Sequence, residues 1–111
     1  MRIVSGKYKG IHIPVRKNFK ARPTTDFAKE NLFNILANHF DFEEAAALDL
    51  FSGTGSLAYE LASRGCTTVD LVEKDYRSIT FIKKTIAKLR MENIRIIQAD
   101  VWKFIDRCDT A

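Results

Sequence analysis

Residues 48–57 constrain the fold of this 111-residue chain more than any other stretch. An apolar run over residues 45–51, interrupted by Asp49, leads into the turn Gly53-x-Gly55, and a short amphipathic segment follows. Continuous apolar runs of this kind are typical of strands buried on both faces of a parallel sheet. A buried strand, a glycine turn and a helix in this order predict the first unit of a nucleotide-binding α/β fold.

Asp49 narrows the choice of ligand for the glycine turn. The spacing Gly53-x-Gly55-x-x-Ala58 also fits the fingerprint of dinucleotide-binding oxidoreductases, so an NAD(P)-dependent function stays open as an alternative. However, a carboxylate four residues before Gly53 would repel a pyrophosphate and attract a ligand that carries positive charge. S-adenosylmethionine carries both an ammonium and a sulfonium group, and we therefore expect it as the cofactor.

Two further acidic residues follow the next two predicted strands. Glu73 ends the run at residues 68–73, at the position where a carboxylate accepts hydrogen bonds from ribose hydroxyls. Asp100 follows the run at residues 94–98 and is a candidate acceptor for the adenine amino group. As an alternative, each acid caps the helix that follows it, as we expect of Asp75.

The rest of the chain predicts helices that pack on these strands. Residues 23–26 open a helix in which a Thr or Asp side chain is available as N-cap, and we expect its apolar stripe to cover the sheet. That stripe consists of Ala28, Leu32, Ile35, Leu36 and His39. The other predicted elements are helices at residues 56–64, 76–90 and 101–108, and a β-hairpin over residues 1–15. The fold class is therefore α/β, with three parallel strands and helices preceded by a basic hairpin.

Positive charge is concentrated at the amino-terminal end of the chain. The formal net charge is +4, yet residues 1–22 carry seven basic residues and no acidic one. This asymmetry favours a polyanion-binding arm over residues 1–22, joined to a cofactor-binding domain over residues 23–111. Tyr8 among the lysines either stacks on a base or packs against the protein. The candidate RNA-binding residues are Arg2, Lys7, Tyr8, Lys9, Arg16, Lys17, Lys20 and Arg22.

Composition argues against several other classes of protein. No window is apolar enough to span a membrane, and the amino terminus lacks the apolar core of a signal peptide. The two cysteines form no C-x-x-C motif, so we expect reduced thiols and a cytoplasmic protein. His12 and His39 have no partner at metal-ligand spacing, and we assign no metal site.

The motifs resemble those of class I methyltransferases and, in more detail, those of the RsmD family of bacterial enzymes. That family methylates the exocyclic amino group of a guanine in small-subunit ribosomal RNA. The matching segments are R-I-x-x-G-x-Y-K-G from Arg2, R-P-T-T-D from Arg22, L-F-N-I-L from Leu32 and L-D-L-F-S-G-T-G-S-L from Leu48. The resemblance implies a cofactor site built from Thr24, Thr25, Asp49, Phe51, Gly53, Gly55, Glu73, Lys74, Asp100 and Val101.

The chain departs from the family pattern in three respects. Ile11 stands where the family usually has a basic residue, and Phe27 stands where it usually has Arg. Family members also continue to a (D/N)-P-P-(Y/F) motif that holds the target base, whereas the prolines of this chain are Pro14 and Pro23. We therefore expect the chain to be the N-terminal half of a longer enzyme, and we assign no catalytic residue within it.

The resemblance also implies the partners. The expected substrate is ribosomal RNA or an assembling small ribosomal subunit, no membrane is involved, and the intact protein is expected to be a monomer. The alternative is a non-catalytic RNA-binding or assembly module that shares the same fold.

Overall fold

The computed structural model of the chain describes residues 1–14, 25–50 and 54–107. Helices and strands alternate through most of this length, as the sequence predicts. The strands are β1 (Ala46–Asp49), β2 (Thr68–Glu73) and β3 (Ile94–Gln98), and the helices are α1 (Asp26–Ala37), α2 (Ser56–Ser63), α3 (Tyr76–Leu89) and α4 (Val101–Arg107). A single 3₁₀ turn at Phe42–Glu44 leads into β1.

The three strands form one parallel sheet in the order β1-β2-β3. Helices α2 and α3 are the crossovers that connect them, which is the βαβ arrangement that a parallel sheet requires. The register pairs Asp49 with Leu71, and Val69 with Ile94. The predicted α/β fold of three parallel strands is confirmed.

The core lies between the sheet and helices α2 and α3. Val69 and Leu71 of β2 are fully buried against Tyr59 of α2 and Ile82 of α3. Because β2 is the central strand, its residues are covered more completely than those of the strands on either side. The predicted apolar face of α3 is confirmed at Ile79 and Ile82.

Strand β1 differs from its prediction, because one of its faces is open. Its side chains alternate between exposed and half-buried, and Leu48 is 50% exposed. Helix α2 packs on β1 from one side, whereas α4 lies against β2. The apolar run therefore marked a strand correctly, but burial on both faces was wrong for β1.

The buried face of α1 also differs from its prediction. Phe33 and Lys29 are the buried residues of this helix, whereas Leu32 and Ile35 of the expected stripe are exposed. The ring of Phe33 packs on the guanidinium of Arg64, with 4.5 Å between the ring centroid and Cζ. Helix α1 thus packs towards α2 and the N-terminal segment instead of covering the sheet.

The predicted N-terminal hairpin is confirmed over the described residues. An antiparallel bridge joins Arg2 to His12, and the N–H of Ile3 donates to the carbonyl of Ile11 over 3.0 Å. Ile3 and Ile13 are buried in the same core as the helices, so this hairpin packs tightly on the rest of the fold. None of the helices in the described part of the chain is both long and apolar enough to cross a membrane.

Candidate functional site

The parallel strands bring the predicted acidic residues to one edge of the sheet. Asp49 is the last residue of β1, Glu73 is the last residue of β2, and Asp100 lies shortly after the end of β3. Asp49 pairs with Leu71, two residues before Glu73, so the side chains of Asp49 and Glu73 emerge on the same face. The carboxyl edge of the sheet is therefore strongly acidic, and ligands of open α/β sheets bind at this edge.

Glu73 shows the electrostatic character of this edge most clearly. Partial burial raises the pKa of Glu73, and the negative charges of Asp75 and Asp49 raise it further. The backbone N–H groups of Lys74 and Asp75 act in the opposite direction. Because nearby carboxylates repel one another, this edge favours a ligand that brings positive charge or hydroxyl donors.

Gly55 adopts the left-handed conformation at the start of α2, with φ 84°. A Cβ atom at this position would lie 2.6 Å from a ring carbon of Tyr59, so a side chain here would require the Tyr59 ring to shift. The packing of Tyr59 therefore favours glycine here, in addition to any ligand. The next side chain, the buried hydroxyl of Ser56, has no hydrogen-bond partner among the described residues. The other predicted members of this loop, Phe51 and Gly53, lie outside the described residues.

Asp100 has the geometry of a helix cap. Its Oδ1 accepts hydrogen bonds from the N–H groups of Trp102 and Lys103 over 3.0 and 3.2 Å. The Lys103 N–H is the main reason why the pKa of Asp100 lies below its usual value. Lys74 Nζ is 3.8 Å from Asp100 Oδ2, so these two candidate cofactor residues are near each other. The capping alternative is thus satisfied, and a contact with adenine stays a prediction.

The structure places the remaining cofactor candidates in positions that do not test their roles. Thr25 caps α1, where its hydroxyl accepts a hydrogen bond from the N–H of Ala28 over 3.1 Å. Val101 is the first residue of α4 and is half-buried. Thr24 lies outside the described residues, so the prediction that the two threonines close over the cofactor is untested.

The hairpin lies along α2, with its two ends at opposite edges of the sheet. At the open end of the hairpin, the Thr54 hydroxyl contacts the sulfur of Met1 over 3.7 Å, close to the glycine turn. At the tip, the N–H of Lys7 donates to the carbonyl of Ser63 over 2.8 Å, at the end of α2. The basic tip is therefore separated from the acidic edge by the length of α2, about 12 Å for eight residues.

The candidate RNA-binding residues fall into three groups. Arg2 forms an ion pair with Asp26 over 3.2 Å, which ties it to α1. Lys7 and Lys9 are exposed at the hairpin tip, whereas Tyr8 is half-buried against the core, as the packing alternative for it predicted. The last group, Arg16, Lys17, Lys20 and Arg22, lies outside the described residues.

Sequence reasoning missed the residues that hold the hairpin in place. The buried Glu60 carboxylate accepts hydrogen bonds from the N–H groups of Val4 and Ser5 over 2.9 and 3.0 Å. The Ser63 hydroxyl accepts from the N–H of Tyr8 over 3.0 Å and donates to the carbonyl of Ser5 over 2.6 Å. The sequence did contain one signal for a structural role of Glu60. Glu60 lies four residues before Arg64, which is the spacing of a helical ion pair, and the two side chains are 2.9 Å apart. Among the described residues there is no cluster of side chains suited to a metal ion.

Known proteins match this chain over nearly all of its residues. A family model described as Conserved hypothetical protein 95 matches residues 1–110. The Ribosomal RNA small subunit methyltransferase D of Buchnera aphidicola (subspecies Baizongia pistaciae) is 35% identical over 107 residues, which is 96% of this chain and 54% of that protein. The protein of the same name from Escherichia coli K12 is 34% identical over 95% of this chain and 52% of its own length.

The fold is shared with solved structures as well. A structure titled as the putative methyltransferase yhhF from Escherichia coli superposes with a TM-score of 0.81 at 31% identity. The superposition covers 95% of this chain and 55% of that one. The chain therefore spans about half the length of the relatives that it matches.

Proposed function

Because the chain belongs to the family described as Conserved hypothetical protein 95, the RsmD family, we propose that the protein is an S-adenosylmethionine-dependent methyltransferase. Its proposed substrate is the exocyclic amino group of a guanine in small-subunit ribosomal RNA. Relatives that share 34 and 35% of its residues are named Ribosomal RNA small subunit methyltransferase D. In this proposal the acidic edge of the sheet and the glycine turn supply the methyl-donor side of the reaction.

The acidic carboxyl edge of the sheet is the observation that supports this proposal best. Three carboxylates, from Asp49, Glu73 and Asp100, lie at the carboxyl ends of three adjacent strands. A cationic methyl donor suits this edge, whereas a pyrophosphate would be repelled. We assign Asp49 to the amino-acid part of the donor, Glu73 to the ribose hydroxyls and Asp100 to the adenine amino group.

The other cofactor candidates act through backbone and packing. Gly53 and Gly55 let the donor approach the main chain closely, and Phe51 lies between Asp49 and this turn. Lys74 directly follows Glu73, Val101 directly follows Asp100, and both line the same edge, while Thr24 and Thr25 close over the donor. Bound at this edge, S-adenosylmethionine would supply a methyl group on a positively charged sulfur, and Asp49, Glu73 and Asp100 would hold it in position for transfer. Positioning supplies much of the acceleration.

RNA is the partner that the charge distribution favours. The basic residues of positions 1–22 contact phosphates in this proposal, and their contacts position the RNA without reading its sequence. The substrate is ribosomal RNA or an assembling small subunit in the cytoplasm of a bacterium, and the enzyme acts as a monomer.

Calorimetry with S-adenosylmethionine and S-adenosylhomocysteine tests the cofactor part of this proposal. The wild-type protein is expected to bind both, and Asp49→Ala is expected to reduce the affinity at least tenfold. Asp70→Ala is the matched control, because Asp70 is also a strand carboxylate but faces away from Asp49 and pairs with Arg95. Equal affinity in wild type and Asp49→Ala would remove the assigned role of Asp49. Thermal stabilisation by NADH, without stabilisation by S-adenosylhomocysteine, would favour the oxidoreductase alternative.

A further inference from the structure

Helix α3 and the two residues that follow it carry a concentration of positive charge that the proposed site does not use. Residues 76–91 contain five basic residues and no acidic one. Those five residues are Arg77, Lys83, Lys84, Lys88 and Arg90. All of them are exposed, and none forms an ion pair within the part of the chain that the structure describes. A cation without a counter-ion in the protein is available to a charged partner.

Three other exposed cations of the described chain form ion pairs. Arg2 lies 3.2 Å from Asp26, Arg95 lies 2.7 Å from Asp70, and Lys74 lies 3.8 Å from Asp100. Ion pairing thus distinguishes exposed cations that have a carboxylate partner from exposed cations that have none among the described residues. Among the described residues, the second group lies on and just after α3, at the hairpin tip and, with Lys103 and Arg107, on α4.

The hairpin tip lies against the end of α3. The hydroxyl of Tyr8 donates to the backbone carbonyl of Arg90 over 3.4 Å. Lys7 Nζ is 5.5 Å from the centroid of the Tyr8 ring, and Lys9 follows it on the exposed turn. This contact brings Lys7, Lys9 and Arg90 onto one surface although they are separated by about eighty residues of sequence.

Arg90 occupies a backbone conformation that would suit glycine better. It ends α3 in the left-handed region, with φ 56° and ψ 41°, and it is the one non-glycine residue with positive φ among those described. Helices commonly end with glycine in this conformation, and another residue costs about 1 kcal/mol there. Strain of this kind, held at an exposed cation, points to a function for the side chain.

We propose that Arg90, together with Lys7 and Lys9, forms a surface that binds the phosphate backbone of RNA. The proposal rests on the proposed function and extends its RNA contacts from the hairpin tip onto the end of α3. Arg90 precedes β3, so the surface lies at the amino edge of the sheet, opposite the acidic edge. It therefore holds RNA at a distance from the methylated base and contributes affinity without touching the reacting atoms.

Replacing Arg90 by glycine removes the positive charge without straining the backbone, so an effect on RNA binding can be measured apart from an effect on stability. Arg90→Gly is expected to raise the dissociation constant for a fluorescent RNA hairpin three- to tenfold. The slope of log affinity against log salt should fall by about 0.7–0.9, the value for one lost phosphate contact. The melting temperature should stay constant or rise, because glycine relaxes the backbone. Arg90→Lys should retain much of the salt slope.

Lys103→Gln is the matched control, because Lys103 is an exposed cation on α4, beyond the opposite end of β3. It should leave RNA affinity and its salt dependence unchanged. An unchanged salt slope in Arg90→Gly, an equal loss in Lys103→Gln, or displacement of the RNA by poly-glutamate of equal charge would each overturn the proposed surface. So would an absence of RNA binding by the wild-type protein.

Failure of the proposed RNA surface can be distinguished from failure of the proposed methyltransferase function. Arg90→Gly is expected to bind S-adenosylmethionine as the wild type does, since it lies far from the acidic edge. If neither protein binds S-adenosylmethionine while the RNA salt slope still depends on Arg90, the methyltransferase proposal fails and the RNA surface stands.

Discussion

The ammonium of Lys29 lies 3.5 Å from Oε1 of Glu60, and both side chains are buried, with 1% and 0% of their surface exposed. Lys29 also donates to the backbone carbonyl of Arg2. Glu60 in turn accepts the N–H groups of Val4 and Ser5 from the hairpin. One buried carboxylate therefore fixes the hairpin and α1 to α2.

Removal of the Glu60 charge should destabilise the protein strongly. Glu60→Gln keeps the size of the side chain but leaves Lys29 buried without a counter-charge, which is expected to lower the free energy of unfolding by about 3–5 kcal/mol. Urea denaturation measures this loss. Glu30→Gln is the control, because Glu30 is exposed on α1 and should change stability by no more than about 0.5 kcal/mol. A similar small effect in both variants would show that the hairpin is held by its apolar contacts alone.

Two glycines allow the energetic cost of backbone strain to be compared with the cost of steric overlap. Gly10 and Gly55 have nearly the same φ, 86° and 84°, but a Cβ at Gly10 meets nothing within 4 Å, whereas a Cβ at Gly55 meets the Tyr59 ring. Gly10→Ala should therefore cost about 1 kcal/mol from strain. Gly55→Ala should cost about 1–3 kcal/mol more from overpacking. Chemical denaturation of the two variants gives the difference, and equal losses would mean that Tyr59 moves aside freely.

The elements that depend on the spacing of residues close together in sequence could be predicted from the sequence. The bounds of β2 and the buried face of α3 follow from apolar residues a few positions apart, and the structure confirms both. The acids of the carboxyl edge were likewise predictable, because parallel strands place their ends together.

The buried face of α1 could not be predicted in this way. Phe33 and Lys29 have the same helical spacing as the apolar residues of the expected stripe, so periodicity does not choose between the two faces. A buried lysine is tolerated because its partner Glu60 lies thirty-one positions along the chain, and no local pattern reports that pairing. The exposure of one face of β1 likewise depends on α4, which packs against β2 instead. No pattern within β1 reports where α4 packs.

Asp100 can be tested for a role beyond capping. Serine caps a helix about as well as aspartate does, but its side chain is too short to reach a bound adenine. Asp100→Ser should therefore keep the stability of the protein within about 0.5 kcal/mol while lowering the affinity for S-adenosylmethionine severalfold. Asp100→Ala should lower both, and calorimetry with thermal melts distinguishes the two effects. If Asp100→Ser binds the cofactor as the wild type does, Asp100 is a helix cap alone.

The raised pKa of Glu73 makes the stability of the protein depend on pH. Burial raises its pKa above the ordinary value of 4.5, so the folded protein retains this proton where the unfolded chain has lost it. Stability due to this group is therefore present below the unfolded pKa and is lost as pH rises through the folded pKa. Glu73→Gln cannot ionise, and it should be more stable than wild type at neutral pH.

The same substitution should weaken the cofactor site. A ribose hydroxyl donates a stronger hydrogen bond to a carboxylate than to an amide oxygen, so Glu73→Gln should bind S-adenosylmethionine severalfold more weakly at neutral pH. Wild-type affinity should fall as the pH is lowered through the raised pKa of Glu73, whereas the affinity of Glu73→Gln should lack this step. Calorimetry and urea denaturation across this pH range measure both effects. If Glu73→Gln gains stability but binds the cofactor with wild-type affinity, the Glu73 carboxylate destabilises the protein and does not bind the ribose.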